Sequence, residues 1–187
     1  MGTIKQMGMS SGLVGWLLSS GVGAAGLTLS SPDLAPNATL AGEQVFNGFG
    51  CHGGNISPAL VWSGAPVETK SFGVTMYDPD APTGSGWWHW VVFNLPATVG
   101  GLPKGAGDPA STKAPSNVVQ SRTDFGQGGY GGPCPPMGNP AHRYQFTVFA
   151  LKTETIPLDE NAPAAMVGFY LHQNAISTAT LQGYYGR

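Results

Sequence analysis

Two carboxylates stand two positions apart in Tyr77-Asp78-Pro79-Asp80-Ala81-Pro82. A histidine, His89, follows in Gly86-Trp87-Trp88-His89-Trp90, and a second, His142, precedes Arg143 and Tyr144. Between these histidines lies Tyr130-Gly131-Gly132-Pro133-Cys134-Pro135-Pro136. A carboxylate beside an imidazole orients the ring and favours its protonated form. Asp78 and Asp80 can orient His89 and His142 in this way, leaving ring N–H groups pointing outward. Gly131 and Gly132 let backbone N–H groups approach a ligand closely, and successive N–H groups form an anion-binding concavity. Tyr130 and Tyr144 add hydroxyls, and the tryptophans supply an apolar wall. Such a set suits a phosphate ester or a carboxylate better than a cation.

Each segment also has a plainer use. Asp-Pro-Asp makes a turn in which the carboxylates bond local backbone. His89 can be a satisfied core histidine, and His142-Arg143 a strand end facing solvent. The joint reading rests on position, since each segment borders a strong strand and the three can meet at one rim of a sheet. Hydrolysis is the rival chemistry, because Asp, His and an N–H concavity are the parts of a general-base site with anion stabilisation. Against it, no G-x-S-x-G elbow occurs, and no Ser or Cys is evidently placed beside the histidines.

The elements that must position these residues are strands. Ser71 to Asp78 alternates, with Phe72, Val74 and Met76 on one face and Thr75 and Tyr77 on the other. Trp88 to Leu95 is a nearly continuous aromatic and β-branched run closed by Pro96, the pattern of a central strand buried on both faces. Tyr144 to Leu151 alternates again, and Leu60–Trp62 and Val118–Gln120 are shorter candidates. One helix is predicted over Ala164–Ala175, with Asn161 as cap and Pro163 in its first turn. Ile176 to Leu181 can return as a strand, and the Gly- and Pro-studded stretch Gly100–Lys113 reads as surface loop.

Composition narrows the class. The chain has 187 residues, with 8 Lys+Arg against 10 Asp+Glu and a net charge of −2. Without a basic cluster it carries neither a nucleic-acid footprint nor a polybasic membrane patch. Hydrophobic residues at 41% suffice for one core, and 29 Gly with 16 Pro indicate many turns. These features predict a single, mainly β domain over residues 27–187. No metal or other cofactor is needed for it to fold.

Residues 1–26 read differently. Lys5 is the only charge before Asp33, an apolar centre runs from Leu13 to Leu18, and small residues follow to Gly26. This is the pattern of a secretory signal peptide, with cleavage near Ala24 or Ala25; the bland alternative is a disordered leader. The apolar run is too short and glycine-broken to span a membrane. An exported chain would be periplasmic or secreted, and otherwise cytoplasmic. Cys51 and Cys134 follow the same fork: buried thiols in the cytosol, a disulfide after export. A zinc site with His52, His89 and His142 is a weaker alternative, for want of any closely spaced ligand pair.

Asp78-Pro79-Asp80-Ala81-Pro82, the Trp-His-Trp stretch, Tyr130 to Pro136 and His142-Arg143-Tyr144 together resemble the phosphatidylethanolamine-binding protein family. The likeness is closer to its bacterial, Raf kinase inhibitor-like branch. It runs from about Gly48 to Arg187 and includes Ser57-Pro58-Ala59-Leu60-Val61-Trp62 and the closing Gly-Tyr-Tyr-Gly-Arg. The resemblance implies a large central β-sheet packed against a smaller sheet, with a C-terminal helix. It implies a small-anion pocket at one sheet end, lined by Asp78, Asp80, His89, Tyr130, Gly132, His142 and Tyr144. Trp87 or Trp88, and Tyr184 or Tyr185, would stand at its edge. The expected function is non-enzymatic binding of a phosphate group, a phosphorylated head group or a similar anion. A kinase or protease would be a candidate protein target, and a homodimer a candidate assembly. Pro133 and Cys134 replace small residues found in many eukaryotic relatives, which predicts a stiffer pocket rim.

Overall fold

The computed structural model describes residues 1–3 and 26–187. In chain order its first strands are β1 (Thr28–Ser30), β2 (Asn47–Gly48), β3 (Cys51–His52), β4 (Leu60–Ser63) and β5 (Ser71–Asp78). There follow β6 (Trp87–Pro96), β7 (Gly101–Leu102), β8 (Val119–Gln120) and β9 (His142–Leu151). The helix α1 (Ala164–Asn174) then runs directly into β10 (Ala175–Tyr185). The leader expectation falls mostly on residues 4–25, which lie outside the described ones.

The fold is mainly β, as the alternating segments predict. A five-stranded antiparallel sheet has the order β10-β9-β5-β6-β8, and a three-stranded sheet the order β1-β4-β7. Their facing sides share one core. Phe72, Val74 and Met76 of β5, Trp90 and Val92 of β6, and Tyr144, Phe146 and Val148 of β9 meet Leu60, Trp62 and Leu102 there. The opposite face of the large sheet, with Val91, Phe93, Phe149 and Leu151, is covered by Val167 and Leu171 of α1. The helix sits close because β5 carries Gly73 beneath it. A Cβ on Gly73 would lie 2.3 Å from a Leu171 methyl.

Strict alternation along β6 would send Leu95 to the helix side with Phe93. A bulge prevents this: Val74 pairs with Val92, but Phe72 pairs with Leu95, so β6 holds an extra residue. Asn94 adopts a φ of 62° at that point. Its side chain takes both the N–H of Ile156 (2.8 Å) and the Ile156 carbonyl (3.3 Å). Leu95 thereby rejoins the core between the sheets.

β6 lies between β5 and β8 and is buried on both faces, as its continuous apolar run predicts. Two local expectations are corrected. The helix is capped by Pro163 with no side-chain hydrogen bond, not by Asn161. Asp159 explains this, because its carboxylate takes the Asn161 N–H at 2.9 Å and holds that residue in the preceding turn. Gly100–Lys113 is not all surface loop, since β7 pairs with β4 and Leu102 and Ala106 are buried. Glycine permits that pairing, as a Cβ on Gly101 would lie 2.4 Å from the Leu60 carbonyl oxygen.

Candidate functional site

Because the large sheet is antiparallel, the end of β5 and the starts of β6 and β9 lie at one edge. Asp78 is two residues beyond Met76, and His142 two before Tyr144, so both side chains fall on the face toward the smaller sheet. His89 reaches that face through a second bulge. Tyr77 pairs with Trp88 and Met76 with Trp90, leaving His89 as the extra residue in β6. Trp88 consequently stays on the helix side, against Tyr77 and over Gly168. His89 turns toward Tyr144, ring edge to ring face at 5.2 Å.

Asp78, His89, His142 and Tyr144 line a cavity of about 200 Å³. Its other walls are Trp87, Phe125 and Phe49, the turn Ala81-Pro82-Thr83, and Cys134-Pro135-Pro136. Among the described residues, no Lys or Arg lines it.

The polar groups of the cavity are separately oriented. His142 donates from Nδ1 to Asp78 Oδ2 at 2.8 Å, with both side chains buried. The other oxygen of Asp78 accepts the Asp80 N–H at 2.8 Å, fixing the carboxylate within its turn. His89 is held by backbone instead of carboxylate: its Nδ1 lies 2.7 Å from the Gly131 carbonyl oxygen. A carbonyl only accepts, so Nδ1 carries the hydrogen and Nε2 is the nitrogen left to the cavity. Burial pushes the His89 pKa down to about 4, against the opposing pull of the Gly131 carbonyl and Asp78. His89 is therefore neutral at pH 7.

Tyr144 is fully buried, and its hydroxyl has no hydrogen-bond partner among the described residues. Burial raises its pKa, so it remains a donor. A buried hydroxyl without an acceptor costs about 1–3 kcal/mol, and a bound group is one remedy for that cost.

Four residues expected at the site stand elsewhere. Asp80 faces away and is gripped by Arg143, whose Nε and Nη2 meet its two oxygens at 2.9 and 2.6 Å. That guanidinium holds the Asp80 carboxyl down at about 2. Trp88 lies on the helix side, and Trp87 takes the place at the cavity. The Tyr130 hydroxyl donates to the Gln44 carbonyl at 2.9 Å. The Gly132 N–H donates to Asn55 Oδ1 at 2.7 Å, and the Gly131 N–H to the His89 carbonyl at 2.8 Å. The glycines thus serve packing and not an N–H cradle. A Cβ on Gly132 would lie 2.0 Å from the Gln44 carbonyl oxygen, and one on Gly131 would be 2.3 Å from the Phe125 ring. Neither Tyr184 nor Tyr185 lines the cavity.

The apolar lip was not foreseen. Phe49 and Gly50, with φ of 53° and 81°, turn the β2–β3 hairpin. Phe49 is 66% exposed, and its ring stacks 5.9 Å from Phe125. A disulfide joins Cys51, beside that turn, to Cys134 in the opposite wall. Both cysteines are thereby accounted for, in place of free thiols or zinc ligands. Arg187 adds a second tie, donating to the Pro135 carbonyl at 2.7 Å and to the Phe49 carbonyl at 3.2 Å. Phe49 had a sequence signal in its Gly-Phe-Gly-Cys setting, whereas Phe125 had none.

Comparison with known proteins accords with this architecture. The family model described as "Phosphatidylethanolamine-binding protein" matches residues 30–186. The UPF0098 protein YbcL of Escherichia coli (strain K12) is 55% identical over 162 residues, 87% of this chain and 88% of that protein. YbhB of the same organism is 53% identical over 155 residues, 83% of this chain and 97% of that protein. The crystal structure of E. coli YbcL, described as a new member of the mammalian PEBP family, superposes with a TM-score of 0.85 at 54% identity. It covers 87% of this chain and 99% of its own. A putative homologue from Chlamydia trachomatis, CT736, gives a TM-score of 0.71 at 29% identity, covering 87% of this chain and 98% of its own. With the match spanning nearly the whole described domain, the chain belongs to the phosphatidylethanolamine-binding protein family.

Proposed function

We propose that this protein binds a small oxyanion, a phosphate group or a carboxylate, in the cavity between Asp78, His89, His142 and Tyr144. The observation that carries the reading is the buried Tyr144 hydroxyl, which is a donor without an acceptor beside two imidazoles. An anion oxygen at that point would take the hydroxyl hydrogen and face both rings. The volume of about 200 Å³ suits a head group and a short substituent, and the Phe49, Trp87 and Phe125 rings offer that substituent apolar surface. Binding is favoured over hydrolysis because the threonine and cysteine among the lining residues are otherwise engaged. Thr83 donates its hydroxyl to the Gly86 carbonyl, and Cys134 is in the disulfide. The disulfide also supports placement outside the cytoplasm.

The test is a titration of the protein with inorganic phosphate and with phosphoethanolamine, followed by NMR of the histidine rings. Saturable shifts at His89 and His142, reduced in Tyr144→Phe, are expected. No shift at millimolar ligand would overturn the reading.

A further inference from the structure

An anion site ordinarily draws on a lysine, an arginine or a metal for counter-charge. Among the described residues, no Lys or Arg side chain lines this cavity. Arg143 is gripped by Asp80 outside it, and Arg187 holds the Pro135 and Phe49 carbonyls. Its one acid–base pair, Asp78 with His142, has no net positive charge even when fully ionised. The Gly131 and Gly132 N–H groups are engaged with His89 and Asn55. The Tyr144 hydroxyl is a single neutral donor. The His89 ring presents Nε2, which the Gly131 carbonyl fixes as a lone pair in the neutral ring; the Nε2 of His142 belongs to the pair that carries no net positive charge. A lone pair facing an anion oxygen repels it, whereas the same nitrogen bearing a hydrogen would donate to it.

We propose that the proton is the counter-ion of this site: the oxyanion binds together with one proton, which resides between the anion and His89 Nε2. This rests on the binding reading and adds the chemical state of the bound pair. The ligand class it selects is the hydrogen oxyanion, such as a monoprotonated phosphate ester or a carboxylic acid. A fully ionised anion is taken only when His89 gains a proton from solvent.

The groups around His89 permit this. Asp78 from β5 and Asp124, whose carboxylate takes the Trp88 N–H at 2.7 Å, both favour a charged ring. His142 and Tyr144 face it from β9, and the edge of Phe125 closes the remaining side at 5.3 Å. Burial outweighs the carboxylates and keeps the ring neutral. An anion in contact reverses that balance by adding a near negative charge. The sign follows from linkage. Binding raises the His89 pKa from about 4. Affinity then grows by about tenfold per unit as pH falls through the window between the free and bound values, and is flat outside it.

Sulfate is the informative probe, because it holds its charge across this range and any pH dependence belongs to the protein. Calorimetry in two buffers of different ionisation enthalpy counts the protons taken up. We expect net proton uptake on binding, and affinity that tightens as pH falls below about 7, by up to about tenfold per unit. His89→Gln places an amide N–H near the same point without titrating, and should bind with a flat profile. The wild-type ring gives an independent readout: its Nε2 nitrogen resonance should move to the protonated position when sulfate is added at constant pH. Sulfate binding without proton uptake, or a slope unchanged in His89→Gln, would overturn the inference while leaving the anion site standing. Failure of sulfate, phosphate and phosphoethanolamine to bind at any pH would remove both.

Discussion

Asp78 and His142, 64 residues apart in sequence, form a buried pair in which the carboxylate orients the imidazole at 2.8 Å. The second oxygen of Asp78 is fixed by the Asp80 N–H, and Asp80 is itself gripped by Arg143. The Asp-Pro-Asp turn is therefore a two-stage support, its first carboxylate facing the cavity and its second bracing β9 from outside.

Removing the inner carboxylate leaves a buried imidazole without its partner. Asp78→Ala should destabilise the fold by roughly 1–3 kcal/mol, the cost of leaving a buried donor without its acceptor. Asp80→Ala acts on an exposed pair and should cost at most about 1 kcal/mol. Denaturant midpoints of the two variants check the difference. Equal losses would show that the pair at His142 does not bear on stability as its burial requires.

Tyr144→Phe separates function from stability. The hydroxyl it removes bonds nothing in the protein, so the variant should be as stable as the parent, or more so by up to about 1 kcal/mol. A hydrogen bond to a charged group contributes about 1.5–3 kcal/mol, so anion affinity should fall by roughly tenfold or more. A thermal melt and a phosphate titration on one preparation test both halves. A large drop in stability would mean that the hydroxyl has a protein partner in solution.

The Cys51–Cys134 disulfide spans a sequence separation of 83. In the chain-entropy model, closing a loop of that length stabilises the fold by roughly 4–5 kcal/mol. Replacing both cysteines with alanine should lower the unfolding midpoint accordingly. Because the bond also ties the Phe49 turn to the Pro135-Pro136 wall, anion affinity should weaken even where the variant remains folded. Unfolding by denaturant and a phosphate titration of the folded variant measure the two effects.

The large sheet and four cavity residues were legible because both depend on short-range pattern. Period-two alternation marked β5 and β9, a continuous aromatic and β-branched run marked β6, and Asp78, His89, His142 and Tyr144 stood at or near their ends. What could not be read was anything set by register. The extra residue that turns His89 away from Trp88 appears only once Met76 and Tyr77 are paired across the strands. Gly131 and Gly132 looked like free donors because their acceptors, the His89 carbonyl and Asn55, lie far off in sequence. Asp80 looked like a histidine partner because its pairing with Arg143 is likewise a contact between strand ends. The lip depends on loop packing, and no local pattern places Phe125 against Phe49. Expectations drawn from residue type named four residues that line the cavity; those about which hydrogen bond each group makes needed the fold.

The neutral, buried state of His89 predicts acid sensitivity in the unliganded protein. Its pKa falls from 6.5 in the unfolded chain to about 4 in the fold, chiefly through burial. The unfolded state therefore binds a proton more readily across that interval. The stability His89 contributes is fully present above about pH 6.5, declines as pH falls, and is gone below about pH 4. The linked loss over the whole interval is roughly 3 kcal/mol. His89→Gln should abolish this part of the acid limb, leaving the carboxylate contribution at lower pH. Chemical denaturation at a series of pH values, without and with saturating sulfate, reads it directly. Sulfate should flatten the limb in the parent, because a bound anion makes the protonated ring welcome. An acid limb identical in parent and variant would show that His89 titrates in the fold as it does in the open chain, and would contradict its burial against Gly131.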